Sequence, residues 1–225
     1  MAIRKNNVLG QTSGKLGNTV TRIRYGKEVV YALPDKVKVS QSEQAKAARN
    51  KFAMTVNFAK FINSIPALSR VWSSANIPGT NSYQKLIKHN SKLTGENFLT
   101  TNNIITPNTF NIKLVDFTYN ENIISFRINY PDINSLFPLQ TFEVLYFFDP
   151  KQKDGNQFLF NNLSQEINLI SSDYKIEIPL TGNSIKQNLS SHFNKCIMFV
   201  AALSNDVIKS NVVWSNTIAY PINAF

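Results

Sequence analysis

Residues 196–220 read CIMFVAALSNDVIKSNVVWSNTIAY: an apolar, β-prone run, a polar turn and a second β-prone run. Ser204-Asn205-Asp206 predict the turn, because short polar side chains hydrogen-bond their own backbone and favour turns. The apolar run at 197–203 is far shorter than the roughly 20 residues that a membrane-spanning helix needs. This stretch therefore predicts two strands of a β-domain in a soluble protein.

The same pattern extends back to residue 109. Asn120-Glu121-Asn122 and Asp149-Pro150 are typical turn sequences between the runs. About seven short strands without a helix indicate an immunoglobulin- or fibronectin-III-like β-sandwich. A lone cysteine, Cys196, excludes the disulfide-bonded antibody type. The predicted strands lie at 110–117, 123–130, 141–148, 156–160, 174–178, 196–203 and 212–220.

The first part of the chain predicts a β-hairpin after a glycine-rich lead. Runs at 19–25 and 28–33 flank the dipeptide Gly26-Lys27, which suits a two-residue turn. With this turn Arg22 lies across from Tyr31, where it can form a cation–π pair, and Arg24 lies across from Val29. The lead contains glycines that we expect at positive φ or at close approaches of the backbone: Gly10, Gly14 and Gly17.

Three helices are predicted to follow. Residues 40–65 carry an apolar stripe at helical spacing, and Ser40 with Glu43 fits a capping box. Pro66 ends this helix and suits the first turn of a second one. Asn81 or Ser82 can cap a third. The stripe of the first helix consists of Ala45, Ala48, Phe52, Val56, Ala59 and Ile62.

Polar, aperiodic residues then predict a linker at 96–107. The predicted fold class is α+β, in three parts: a basic arm, hairpin and helices at 1–95, the linker, and the sandwich at 108–225. We expect the sandwich to be self-contained.

Charge is distributed unevenly along the chain. Residues 1–95 hold 16 Lys and Arg against 3 acidic residues, or 16 − 3 = +13, whereas residues 96–225 hold 8 against 11, or 8 − 11 = −3. The basic part is expected to face an acidic partner, either nucleic acid, an anionic surface or a protein. The alternative is a solvated basic surface that maintains solubility.

No motif of the sequence indicates catalysis, so we expect a protein that is not an enzyme and has no metal or cofactor. Gly14-Lys15 does not fit a phosphate-binding loop, which needs Ser or Thr after the lysine, where this chain has Leu16. Two histidines and one cysteine do not make a four-ligand zinc site. His192 and Cys196 stand four apart, but a buried thiol and a surface histidine explain them.

Candidate partner-binding residues lie in the basic part. Cations beside tyrosines can contact phosphates and stack on bases, discourage aggregation at a sheet edge, or dock on a neighbouring subunit. The candidates are Lys15, Arg22, Arg24, Tyr25, Lys27, Tyr31 and Arg49.

Residues 9–20, LGQTSGKLGNTV, resemble the opening motif LGxxSGKxGNxV of an uncharacterised family of Bacteroidota genomes and phage regions. Further matching residues are Tyr25-Gly26-Lys27, Pro34, Ser42-Glu43-Gln44, Arg49-Asn50-Lys51-Phe52, Arg70-Val71-Trp72, Gly79, Asn81, Tyr83, Asn90 and Ala201-Ala202-Leu203. Gln11 and Thr12 depart from the small residues usual there. The resemblance carries no activity and no catalytic residue.

What the resemblance implies is a phage-like particle component, for example an auxiliary capsid or ring protein of a crAss-like tailed phage. We therefore expect a virion structural protein, made in the host cytoplasm, that binds other virion or assembly proteins in an oligomeric assembly and binds no membrane. One alternative is a nucleic-acid-binding protein of the bacterial cytoplasm. Another is a bacterial surface or secretion-linked binding module, which the charged start without an apolar segment disfavours.

Overall fold

A computed structural model of the chain describes residues 2–3, 13–33, 39–119, 123–129, 139–151, 158–167, 173–179, 193–206 and 211–223. Contacts divide the chain into two compact units, Met1–Ser42 and Glu43–Phe225. Gly10, Pro34, His192 and the predicted turn at 120–122 lie outside the described residues.

The smaller unit contains a four-stranded antiparallel sheet in the order β1-β4-β3-β2. Its strands are β1 (Ala2–Ile3), β2 (Gly14–Leu16), β3 (Thr19–Arg24) and β4 (Lys27–Ala32). Two tight turns connect the last three, and Gly17 in the first of them has a φ of 55°, which favours glycine. The predicted hairpin is confirmed, but the glycine-rich lead also contributes a strand.

The predicted turn of the hairpin was wrong by one residue. The turn is Tyr25-Gly26, with φ of 51° and 71°, because the strands pair Arg24 with Lys27. Arg22 therefore lies across from Val29 rather than Tyr31. Two successive positive φ values match the twist of the strands, which explains why the chain turns here although Tyr25 is not a glycine.

The larger unit begins with three helices: α1 (Glu43–Ser64), α2 (Pro66–Ser74) and α3 (Ser82–Asn90). All three were predicted, but the stripe predicted for α1 was only partly right: Ala59 and Ile62 are buried, whereas Ala48 and Phe52 are exposed. The Asn81 side chain accepts a hydrogen bond from the Gln84 N–H, as an N-cap does. The predicted capping box is not formed, because Ser40 Oγ accepts instead from the Ser42 N–H, outside the helix. Trp72 of α2 is fully buried and donates its indole N–H to the Ile105 carbonyl at 2.8 Å.

Among the described residues, eight antiparallel strands complete the larger unit, so the fold is α+β, as predicted, and mostly β. A five-stranded sheet has the order β11-β10-β7-β8, with β12 also paired to β10, and a three-stranded sheet has the order β5-β6-β9. Every predicted strand overlaps an observed one, and the last is split in two. The turn predicted at Ser204-Asn205-Asp206 was wrong, because these residues extend a strand and pair with residues 211–213. The strands are β5 (Lys113–Tyr119), β6 (Ile123–Asn129), β7 (Leu139–Phe148), β8 (Phe158–Ile167), β9 (Asp173–Pro179), β10 (Lys195–Asp206), β11 (Asn211–Trp214) and β12 (Ile218–Asn223).

The five-stranded sheet is covered on both faces. Alternate residues of β7 and β10, such as Tyr146 and Phe199, pack with the helices, where Phe58 and Phe199 rings lie 5.7 Å apart. The intervening residues, such as Phe147 and Met198, pack against the three-stranded sheet. The larger unit therefore has three layers: helices, five-stranded sheet and three-stranded sheet.

The segment predicted as a linker is part of this packed unit. Asn103, Ile105 and Thr106 are fully buried. The N–H groups of Ile105 and Thr106 both donate to Thr217 Oγ1 at 2.9 Å, beside the break between β11 and β12. The division into units thus falls after Ser42 rather than at residues 96–107, because the helices have their apolar partner in the sheet.

Candidate functional site

The candidate site is one face of the smaller unit's sheet. Residues that pair directly across antiparallel strands point to the same face, and alternate residues of a strand share a face. Lys15 pairs with Val20, and Val20 pairs with Tyr31. Two further pairs, Arg22 with Val29 and Arg24 with Lys27, continue this face to the turn. We call the surface made by Lys15, Arg22, Arg24, Lys27 and Tyr31 the cationic face.

Aromatic rings hold the two arginines of the cationic face. The Arg22 guanidinium lies 5.4 Å from the centre of the Tyr31 ring, so the predicted cation–π pair is confirmed, although it is diagonal rather than directly across. Arg24 lies 5.7 Å from the ring of Tyr25 in the turn. Such contacts orient a guanidinium without neutralising its charge. Both arginines therefore keep their N–H donors for a ligand.

The two faces of this sheet differ in chemistry. The four cations are exposed, whereas Val29 between them is buried. The opposite face carries Ile23, and its acidic residue Glu28 is buried with 6% of its surface exposed. In the larger unit, ion pairs join Lys46 with Glu43, Arg127 with Asp116, and Lys175 with Glu177. The four exposed cations share one face of the sheet, which makes that face positively charged.

The sequence predicted the residues of the cationic face by their type but not the strand pairing that brings them together. Lys15 is part of the cationic face because residues 14–16 form strand β2, which was not predicted. The dipeptide Gly17-Asn18, which suits a two-residue turn, was the signal that could have indicated this strand. Tyr25 projects from the turn, 82% exposed. Arg49 is exposed on α1 and belongs to the larger unit, so it is not part of this sheet.

The polar clusters of the larger unit join its elements. Ser82 Oγ donates to Asn63 Oδ1 at 2.6 Å and Ser69 Oγ to the same oxygen at 3.2 Å, which connects all three helices. The buried Lys85 ammonium donates to the carbonyls of Ser73 and Ala75, each at 2.8 Å, at the end of α2. These contacts satisfy backbone and side-chain groups within the fold.

Glu143 differs from the other buried polar groups. It is fully buried on β7, on the side that faces the three-stranded sheet, between Val200 of β10 and Leu163 of β8. Burial raises the pKa of its carboxyl group to about 7, and Thr141 opposes this shift without cancelling it. Among the described residues, no group lies in full hydrogen-bonding geometry with either carboxyl oxygen.

Cys196 is a buried free cysteine, as predicted, and burial raises the pKa of its thiol well above the usual range. Within the described ranges, no three His, Cys, Asp or Glu side chains cluster as metal ligands would. None of the described helices combines the length and apolar character that crossing a bilayer requires.

Comparison with known proteins adds no further assignment. No protein-family model matches this chain, and no curated protein matches it.

Proposed function

We propose that this chain is a non-enzymatic structural component of a virion, such as an auxiliary capsid or ring protein, that attaches to other assembly proteins through its cationic face. One observation carries the proposal. A separate small unit presents four exposed cations on one face of a β-sheet. An attachment surface on its own unit lets the larger unit keep its packing when the partner binds.

The composition of the cationic face supports a protein partner. Arg22 and Arg24 are held by tyrosine rings, and arginine and tyrosine are the residue types enriched at the energetic centres of protein interfaces. Exposed Leu16 and Tyr25, each 82% exposed, add apolar area at the ends of the strands. An acidic patch on a subunit of the assembly fits this mixture best.

The larger unit supports an immunoglobulin-like assignment for residues 108–225. Seven strand positions, with the last one split, form sheets β5-β6-β9 and β8-β7-β10-β11/β12. We propose that these strands are A-B-E and C′-C-F-G of a fibronectin-III-like sandwich, an assignment that their order supports. Such domains serve as building blocks and spacers in many assemblies, although the fold alone does not specify function.

The resemblance of residues 9–20 to the phage-associated motif supports the virion context. Under this proposal the chain is made in the host cytoplasm and becomes part of an oligomeric particle. The direct experiment is to purify particles from cells that carry the gene in its native setting and to quantify the chain by mass spectrometry after nuclease treatment. A stoichiometric amount relative to the major shell protein supports the proposal, whereas absence from the particles rejects it.

A nucleic-acid-binding function in the bacterial cytoplasm is the second candidate, because cations interleaved with tyrosines also suit a phosphate backbone and stacked bases. The two candidates differ in salt dependence. A nucleic-acid binder retains sub-micromolar affinity for single- or double-stranded oligonucleotides at about 0.15 M salt, tighter than the usual non-specific range. Fluorescence anisotropy decides this, and we expect only weak binding that is lost near that salt concentration.

A further inference from the structure

The outer edge of β8 differs from the other edges of the larger unit. β8 (Phe158–Ile167) is the last strand of the five-stranded sheet and pairs with β7 through ten consecutive residues without a bulge. No described strand pairs with its other side. Its sequence, FLFNNLSQEI, has one charged residue, Glu166, and no proline. Leu159, Asn162 and Ser164 are exposed.

Each of the other sheet edges has a feature that obstructs pairing. β5 shifts register between Val115 and Thr118, where Asp116 has a φ of 53° and its carboxylate lies 3.5 Å from Arg127. β9 carries an exposed ion pair, Lys175 with Glu177, at 2.6 Å. The edge formed by β11 and β12 is interrupted after Trp214, where Phe110 bridges to Ser215. Bulges, charges and covered edges are the devices by which proteins prevent edge-to-edge association.

Among the described residues, the β8 edge is long, regular and nearly uncharged, and none of these devices is seen on it; such an edge is a surface for strand addition. We infer that β8 pairs antiparallel with β8 of a second copy of this chain, around a two-fold axis at Asn162. The inference concerns self-association and does not depend on the partner of the cationic face.

The alternation of β8 sets the register of this pairing. Phe158 and Phe160 pack on the helix side of the sheet, and Leu163 packs on the side of the three-stranded sheet. Around a two-fold axis perpendicular to the sheet, the helix side of one copy continues into the helix side of the other. Residues that pair across the axis must therefore point to the same side, so even-numbered residues pair with even-numbered ones. Centring the axis on Asn162 does so: Asn162 meets its own copy and Phe160 meets Ser164.

Charge and symmetry favour a second copy over an unrelated strand. In this register the two Glu166 positions are roughly 27 Å apart along the backbone at 3.4 Å per residue, well beyond the screening length at physiological salt. Two exposed asparagine amides meet at the centre, where each can donate and accept a hydrogen bond. A two-fold pair also uses both β8 edges, which limits growth to a dimer of the five-stranded sheets.

The test is a cysteine cross-link in the full chain. Residues directly opposite each other in antiparallel strands have Cα atoms about 4.5–5.5 Å apart, within the range that a disulfide spans. We expect Asn162→Cys to form a disulfide-linked dimer under mild oxidation, seen on non-reducing electrophoresis. Asn111→Cys, at an exposed position outside the strands, is the matched control and should stay monomeric. The buried Cys196 does not compete.

A second variant tests the same edge without cysteine chemistry. Asn162→Lys places two cations at the axis and should raise the dimer dissociation constant at least about tenfold in sedimentation equilibrium, with unchanged circular dichroism. Charge reversal on the cationic face should leave the dimer intact, which separates this inference from the proposed function. A wild-type chain that remains monomeric at ~100 µM would overturn the inference. So would a dimer that Asn162→Cys does not cross-link and that Asn162→Lys does not weaken.

Discussion

At the scale of single residues, Glu143 couples the stability of the larger unit to pH. Its pKa is raised from 4.5 to about 7 by burial. Below pH 4.5 the carboxyl group is protonated in both the folded and the unfolded chain, so its titration does not change the free energy of unfolding. As pH rises from 4.5 towards 7 the unfolded chain releases its proton while the folded chain retains it, which lowers the free energy of unfolding by up to about 3 kcal/mol.

Glu143→Gln removes this titration. We expect the melting temperature of the wild type to fall relative to that of the variant between pH 5 and pH 7.5, measured by calorimetry at constant ionic strength. Glu177→Gln, at an exposed position of β9, is the control and should show a much smaller pH-dependent difference. A wild-type-minus-variant difference that does not change with pH would show that the folded protein accommodates the charged carboxylate.

Lys85 is the second residue that we expect to matter for stability. Its ammonium group satisfies two carbonyls at the end of α2, and its stem lies where a Cβ on Gly79 would approach within 2.7 Å. Lys85→Met keeps the stem but leaves both carbonyls without this donor, which should cost about 2–4 kcal/mol in chemical denaturation. Lys88→Met, exposed on the same helix, should change stability by less than about 0.5 kcal/mol. Equal effects would contradict the capping role.

At the scale of elements, the helices and the five-stranded sheet depend on each other. Residues 108–225 alone would expose the helix-side face of β7 and β10, including Val144, Tyr146 and Phe199, all fully buried in the chain. We therefore expect a 108–225 fragment to aggregate and a 43–225 fragment to melt cooperatively, tested by size exclusion and calorimetry. This reverses the expectation of a self-contained sandwich. A monomeric, sharply melting 108–225 fragment would show that the helix layer is dispensable.

The strands and helices could be predicted because their periodicity and turn residues are local. The layer arrangement was missed, although the sequence held a signal. Residues 142–148, FEVLYFF, and 196–203, CIMFVAAL, are almost continuously apolar, a pattern that indicates strands buried on both faces. An ordinary sandwich with one solvated face per sheet would alternate more strictly. The covering element could have been inferred to be the helices, whose apolar stripes needed a partner.

The cationic face was predicted as a set of residues but not as a geometry. Gly26-Lys27 was predicted as the turn because a tyrosine at positive φ is uncommon and glycine was expected to come first. This choice shifted each cross-strand partner by two residues, so that Arg22 was placed across from Tyr31 instead of Val29. Lys15 was grouped by its charge, and only strand β2 explains why it pairs with Val20, which in turn pairs with Tyr31. Long-range pairing of this kind is not encoded in the local pattern of a single strand.

At the scale of the whole molecule, part of the excess positive charge of the N-terminal region lies on one face of the smaller unit's sheet. The net charge of +10 includes an exposed group of four cations on one sheet of a separate unit. The proposed function assigns attachment to the smaller unit, whereas the larger unit keeps its own packing and takes no part in attachment. If that division holds, the two roles can be separated by mutation.

Incorporation of a charge-reversed chain into particles tests this division most directly. The variant combines Arg22→Glu, Arg24→Glu and Lys27→Glu, and the matched control reverses Lys46, Arg49 and Lys60, three exposed cations of α1. Each protein is produced in cells that make the particles, which are then purified on a density gradient and analysed by quantitative mass spectrometry. We predict that the wild type and the α1 control co-purify with particles, whereas the cationic-face variant remains in the free fraction with the same thermal melting of its larger unit. Equal incorporation of all three proteins would contradict attachment through the cationic face.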